Sequence, residues 1–390
     1  MKSSLEPAAR GDPPAYSWVD SPAAFDRALE AIGSASRIAI DTEADSLYHY
    51  FEKVCLLQIS TRSETFLLDP LALRDLSRLA PILADPGVEK VFHAAGYDLS
   101  CLRRDYSFQF RNLYDTHLAA QLLGYEQLGL GVLLEKLLGV VHSKGRQRDD
   151  WSRRPLEREQ LEYAATDTHH LLELRDALQT ELEAKGRLEW ALEEFEVSAA
   201  ASPPGREFDP EGFRRIKGSR DLRLRELAVL RALYLLRDGY ARELDLPPFK
   251  VLNDSVLVDL ARHPPASAQA LIGRRGLSYR VTRRFSGEIF RTIEEARAQD
   301  ASFLILPRRP PFKPPSREAR LRLERLKAWR EGKGRELGLH VGVVFPGWML
   351  DTLAASPPSD LVELERLEGM RRWRARLFGR EILDLVAKTA

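Results

Sequence analysis

Residues 38–46 read IAIDTEADS, an apolar run that leads directly into Asp41, Glu43 and Asp45. Side chains alternate along a strand, so Asp41 and Glu43 share one face while Ile38 and Ile40 take the other. Two like charges on one face repel, and burying them is costly unless something positive joins them. Either the strand ends in solvent or a cation completes the site. Two further acids stand where a side chain can reach a sheet edge. Asp98 lies in HAAGYDLSCL, at the start of a helix that follows the strand VEKVFH. Asp167 lies in YAATD, four residues after Tyr163 and so on the same helical face. Gathered in one pocket, four carboxylates need counter-charge, and two oxygen-preferring divalent ions, Mg2+ or Mn2+, supply it. Two such ions roughly 3.5–4 Å apart form the arrangement that cleaves phosphodiesters. Tyr163, with an unperturbed pKa of about 10, is a poor base at neutral pH but a good hydrogen-bond partner for an attacking water.

Taken singly, each acid reads as a helix cap or a solvated strand end. Gln58, in the strand CLLQIS, either bonds near the site or faces solvent. His93 ends the strand before Asp98 and either reaches substrate or is a satisfied structural histidine. Asp115 reads as a helix cap, Asp45 as loop surface or a neighbour of the ligands, and Asp149 and Asp150 as surface.

The elements that must position these residues alternate between strand and helix up to about residue 200. RIAID (37–41), KVCLLQIST (53–61), TFLLD (65–69) and VEKVFH (88–93) are strand-like, the second and third joined as a hairpin. Residues 71–85 and 97–106 read as helices, two short helices end at Gly124 and Gly139, and residues 155–186 read as one long helix. A mixed sheet with flanking helices is expected. Proline-rich stretches at 198–210 and 306–316 divide the chain. Behind the first there are no convincing strands but there is a repeat. ARELDLPPFKVLNDSVLVDLARHPP (241–265) superimposes on GRELGLHVGVVFPGWMLDTLAASPP (334–358), an offset of 93 residues that also pairs Gly276 with Gly369.

The net charge of +1 over 390 residues hides an asymmetry. Residues 1–200 hold 22 Lys and Arg against 33 Asp and Glu, whereas residues 201–390 hold 37 against 25. A basic half suits a polyanion partner. In it, RRFSGEIFRTIEEAR and MRRWRARLFGR set arginines beside aromatics, as phosphate contact and base stacking require. Two cysteines, Cys55 and Cys101, without CxxC spacing exclude a disulfide scaffold and a four-thiolate zinc site. No apolar run is long enough to span a membrane, and residues 1–14 read as a flexible polar tail, so a cytoplasmic protein is expected. The chain has no phosphate-binding GxxxxGK[ST] loop.

IDTEADSL, HAAGYDLSCL and YAATD resemble the three motifs of the DEDD-type 3′–5′ exonucleases, in the subgroup with tyrosine in the third motif. DDWSRRPLEREQLEYAATDTHHLLELRDAL and the repeats behind it resemble, more narrowly, the bacterial ribonuclease D family, the repeats being similar to its nucleic-acid-binding HRDC modules. The resemblance spans about residues 15–388. It implies an α/β RNase H-like exonuclease domain at 15–200 and two all-α HRDC-like domains, at 211–298 and 316–388. It implies release of 5′-mononucleotides from the free 3′ ends of RNA, tRNA precursors above all, with no obligate protein partner. Position by position, it makes Asp41, Glu43, Asp98 and Asp167 ligands of two divalent metal ions and Tyr163 the residue that orients water. The same chemistry on DNA and a silent RNA-binding adaptor are the alternatives. An adaptor should have lost one of the four acids, and none is missing.

Overall fold

Asp41 and Glu43 belong to a strand that runs on through both of them, one of the inner strands of a six-stranded sheet. The computed structural model describes residues 14–142, 145–201, 208–304 and 315–387. All but the last residue of the expected tail at 1–14, the centre of the first linker and most of the second lie outside the described residues, as does the last residue of the second expected helical domain. The described residues fall into two compact units. One gathers those of Met1–Ala44, Val54–Pro203 and Lys313–Ala390, the other those of Asp45–Lys53 and Pro204–Phe312.

In the first unit the strands are β1 (Ser17–Val19), β2 (Arg37–Ala44), β3 (Val54–Ser60), β4 (Thr65–Leu68), β5 (Glu89–Phe92) and β6 (Leu113–Asp115). Their order is β1-β4-β3-β2-β5-β6. β2, β3 and β4 are antiparallel neighbours, while β1–β4, β2–β5 and β5–β6 pair in parallel. The hairpin and the mixed sheet match the sequence reading, whereas β1 and β6, three residues each, carry too little periodicity to be read. Ile38, Ile40, Leu57, Ile59, Phe66 and Leu68 enter the main apolar core. The opposite face presents Asp41, Gln58 and Leu67 as cross-strand neighbours.

Nine helices of this unit precede the second: α1 (Pro22–Ser34), α2 (Pro70–Leu73), α3 (Ala80–Ala84), α4 (Gly96–Tyr106), α5 (Thr116–Leu123), α6 (Leu130–Leu138), α7 (Arg158–His169), α8 (Leu171–Ala184) and α9 (Leu188–Ala200). Where one helix was expected at 71–85, the chain makes α2, a 3₁₀ turn and α3. The expected 155–186 helix is broken at His170, whose ψ of 2° leaves the helical range. No glycine or proline marks that break. It lets α7 lie against β2, β3 and β4 while α8 packs on α5 and α6.

The second unit holds α10 (Leu224–Leu244), α11 (Pro248–Val251), α12 (Asp254–Arg262) and α13 (Tyr279–Ala298) around a core of Phe213, Leu230, Leu233, Leu257, Leu260, Ile289 and Ile293. Residues 45–53, which connect β2 to β3 in the chain, belong to it. The N–H groups of Tyr50 and Phe51 donate to Asp245 at 3.0 and 3.2 Å. The Tyr50 hydroxyl donates to Asp238 at 2.7 Å, and Arg242 lies over its ring. Asp45 is fully buried and closed onto Lys53, not loop surface.

Back in the first unit, α14 (Arg317–Leu337), α15 (Val341–Val344), α16 (Gly347–Ala355), α17 (Leu361–Glu365) and α18 (Arg372–Ala387) repeat this pattern. The starts of α10, α11, α12 and α13 each recur 93 residues later, as those of α14, α15, α16 and α18. Gly276 and Gly369 share the offset and a positive φ, 85° and 74°. Among the described residues, no strand follows β6 and no helix is long and apolar enough to cross a membrane.

Candidate active site

Strand alternation delivers Asp41 and Glu43 to the face that α7 covers, with a bulge between Glu43 and Ala44 ending the regular pairing. α7 opens on a capping box between Glu157 and Gln160 and is pinned to β3 by Ser60, whose hydroxyl donates to Thr168 at 2.7 Å. One residue before that pin stands Asp167. Carboxylate oxygens of Asp41, Glu43 and Asp167 consequently lie within 4.8 Å of one another. Asp98, in the first turn of α4, is not one of these three. It sits alongside, accepting a 2.5 Å hydrogen bond from Thr42, the residue between the two acids of β2.

The electrostatics follow from that crowding. Burial, then Asp98, Asp167 and Glu43, push the Asp41 carboxyl well above its ordinary value. Burial with Asp167, Asp98 and Asp149 does the same to Glu43. Burial takes Asp98 up to about 7 against the opposing bond from Thr42. Burial raises Asp167 too, partly offset by His142, whose Nε2 is 2.8 Å from Oδ1, and by the Tyr163 hydroxyl. Tyr163 is itself pushed far up, by burial and then by Asp167, Glu43 and Asp41, so its hydroxyl keeps its proton. Its ring is held between His142, stacked at 5.3 Å, and Trp151 at 6.2 Å.

Such a cluster is stable only with protons or cations on it. Its donors are carboxylate oxygens, which suit a hard divalent ion such as Mg2+ or Mn2+. Beside the three acids, Gln58 is fully buried opposite Asp41 with neither amide atom bonded, a polar group left over for a completed site.

His93 bonds Thr116 at 2.9 Å and lies edge-on to His117. Asp115 does cap α5, through the N–H groups of His117 and Leu118. It also accepts from Ala94 and Ala95, holding the positive-φ turn that launches α4 and so Asp98. Three neighbours were not found by sequence reasoning: Thr42, His142, and Asp149, which is near enough to raise Glu43 instead of being remote surface. His142 and Asp149 lie in a connection without periodicity, where no sequence signal points at the site.

Residues 16–183 match the family described as 3′–5′ exonuclease, and residues 226–293 and 320–386 each match the HRDC domain. Over 91% of this chain and 90% of the relative, the sequence is 33% identical to ribonuclease D of Sphingobium indicum. Over 89% and 87% it is 33% identical to ribonuclease D of Gluconacetobacter diazotrophicus. The crystal structure of Escherichia coli RNase D, an exoribonuclease involved in structured RNA processing, aligns with a TM-score of 0.69 and 28% identity, covering 96% of this chain and 99% of that one. The catalytic core of RRP6 from Trypanosoma brucei aligns at 0.66 with 29% identity, covering 72% and 79%.

Proposed function

This chain belongs to the ribonuclease D family of hydrolytic 3′–5′ exoribonucleases, and from that premise we propose that Asp41, Glu43, Asp98 and Asp167 hold two divalent cations that serve the trimming of tRNA precursors. The observation that carries the reading is the approach of Asp41, Glu43 and Asp167 within 4.8 Å, which mutual repulsion makes costly for ionised carboxylates unless cations join them. These three would hold one ion, and Asp98, close enough to Asp41 to raise its carboxyl, would be a donor to the other. When bound, the ions neutralise the buried carboxylates and polarise the scissile phosphate. The chain's own groups do the rest. Tyr163 keeps its proton, donates to Asp167 and orients the water that attacks phosphorus as the bond to the 3′-oxygen breaks, releasing a 5′-mononucleotide. His142 and Trp151 fix the tyrosine ring so that this orientation is not lost to rotamer freedom. Of the two residues expected to meet the substrate, His93 is the candidate for ordering the terminal nucleotide and Gln58, fully buried, for ordering the groups behind it. The similarity to an exoribonuclease of structured RNA supports a folded RNA with a free 3′ end as substrate. We place the reaction in the cytoplasm. We place the exonuclease domain at 15–200 and the helical domains at 211–298 and 316–388.

The test is incubation of 3′- and 5′-labelled RNA with Mg2+, Mn2+ or EDTA, beside the variant Asp41→Ala. Mononucleotides should leave the 3′ end only with metal and with Asp41 present. Release from the 5′ end, or undiminished release in EDTA, contradicts the proposal.

A further inference from the structure

Gln58 is fully buried, and neither its Nε2 nor its Oε1 finds a partner among the described residues. An amide in that state costs stability, so its retention calls for a use. Its neighbours narrow the choice. On one side β4 offers Leu67, and along β3 the same face offers Leu56 and Ser60. Leu56 and Leu67 are apolar, and they pack with Trp151, Ala164 and Ala165. The Ser60 hydroxyl is already bonded to Thr65 at 2.9 Å and to Thr168 at 2.7 Å. The Trp151 indole N–H in that cluster is likewise unbonded but can only donate, so the acceptor left for the Gln58 amide N–H is Asp41, directly opposite on β2. Cross-strand partners have Cβ atoms about 4.5–5.5 Å apart, well within reach of a glutamine side chain.

We propose that Gln58 is a positioning residue for the cation site, its amide donating to the Asp41 carboxylate and fixing which oxygen is turned toward a divalent ion. Full burial beneath α7 suits this internal partner better than direct contact with RNA. A carboxylate that ligates an ion is itself hydrogen-bonded, and losing such a partner typically weakens metal binding about 10–100-fold. The inference rests on the cation-site reading above, and the experiment separates the two.

Mn2+ binding to the full chain is measured by calorimetry for the wild type, Asp41→Ala, Gln58→Met and Gln58→Leu, together with the melting temperature of each in EDTA. Gln58→Met and Gln58→Leu should keep or raise the melting temperature, since they replace an unbonded amide by an apolar group of similar size, while Mn2+ affinity falls about tenfold or more. Wild-type Mn2+ affinity in Gln58→Met overturns the proposal. A lowered melting temperature in both variants overturns it as well, because the amide is then bonded without the ion. If Asp41→Ala binds Mn2+ as the wild type does, the cation-site reading itself fails, and with it the role given to Gln58.

Discussion

The two helical repeats share their architecture, helix for helix at an offset of 93 residues, yet they are employed differently. The first builds its own core and holds the 45–53 segment. The second is part of the catalytic unit, docked on α9. There Arg371 and Arg374 pair with Glu194 at 2.9 and 3.0 Å, and Glu193 accepts from the N–H groups of Arg372 and Trp373. Trp373 stacks on Trp190 at 4.6 Å. The positions equivalent to Arg371 and Arg374 in the first repeat are Ser278 and Val281. The left-handed residue that ends the long helix also differs. It is Asp245 in the first repeat, whose carboxylate captures Tyr50 and Phe51, and Gly338 in the second, packed against Gly124. Apolar pairs such as Leu257/Leu350 and Leu260/Leu353 are kept, whereas the positions that meet other elements differ, the buried pair Val281/Arg374 among them. Part of the acid–base asymmetry along the chain is therefore internal: MRRWRARLFGR, read from sequence as a nucleic-acid contact, meets the acids of α9.

The largest test of this contrast is Arg374→Ala, which removes the donor to the carbonyls of Val343 and Val344 and leaves Glu194 with only Arg371 and the Trp373 indole N–H. It should cost about 3–5 kcal/mol in urea unfolding followed by tryptophan fluorescence. The matched Val281→Ala in the first repeat should cost about 2 kcal/mol, through lost apolar burial alone. Equal losses would remove the distinction. Gly124→Ala comes next, at about 3 kcal/mol by the same measurement. Its φ of 88° disfavours a side chain, and the added Cβ would run into the Gly338 carbonyl.

How far the sequence carried this account differs by region. Alternation in IAIDTE put Asp41 and Glu43 on one face, and the spacing of Tyr163 and Asp167 put both on one helical face, because local periodicity decides such things. The 93-residue offset was legible because breakers and apolar positions recur together. The Glu193–Glu194 docking patch was not, since its partners lie nearly 180 positions away and pair only after folding. Thr42 escaped notice because alternation turns it away from Asp41, although the strand end still brings it to Asp98. His142 and the break at His170 carry no local signal at all.

The two units should also respond oppositely to pH. In the catalytic unit burial raises Asp41, Glu43, Asp98 (to about 7) and Asp167. Folded chains then hold more protons than unfolded ones, whose acids titrate near ~4. The stability these groups contribute is complete below that value and is lost as pH rises through about 7. In the other unit burial pushes Asp245 up, but His49 and the N–H groups of Phe51 and Tyr50 bring it below its ordinary value. That contribution is present above pH ~4 and lost only as pH falls. Melting in EDTA should show the catalytic unit weakening between about pH 5 and 8 while the other holds, and Mn2+ should remove the difference. Parallel slopes would contradict the assignment. The smallest effect is Tyr50→Phe, which removes the bond to Asp238 and should cost about 1 kcal/mol in the second unit's transition alone, read by the same melts.

The central claim, that acids scattered through the chain form one cation site, is tested most directly by counting manganese ions. Titration of the full chain followed by electron paramagnetic resonance should give two bound ions for the wild type, one for Asp98→Asn and none for Asp41→Ala. Equal stoichiometry in all three, or no binding to the wild type, would contradict it.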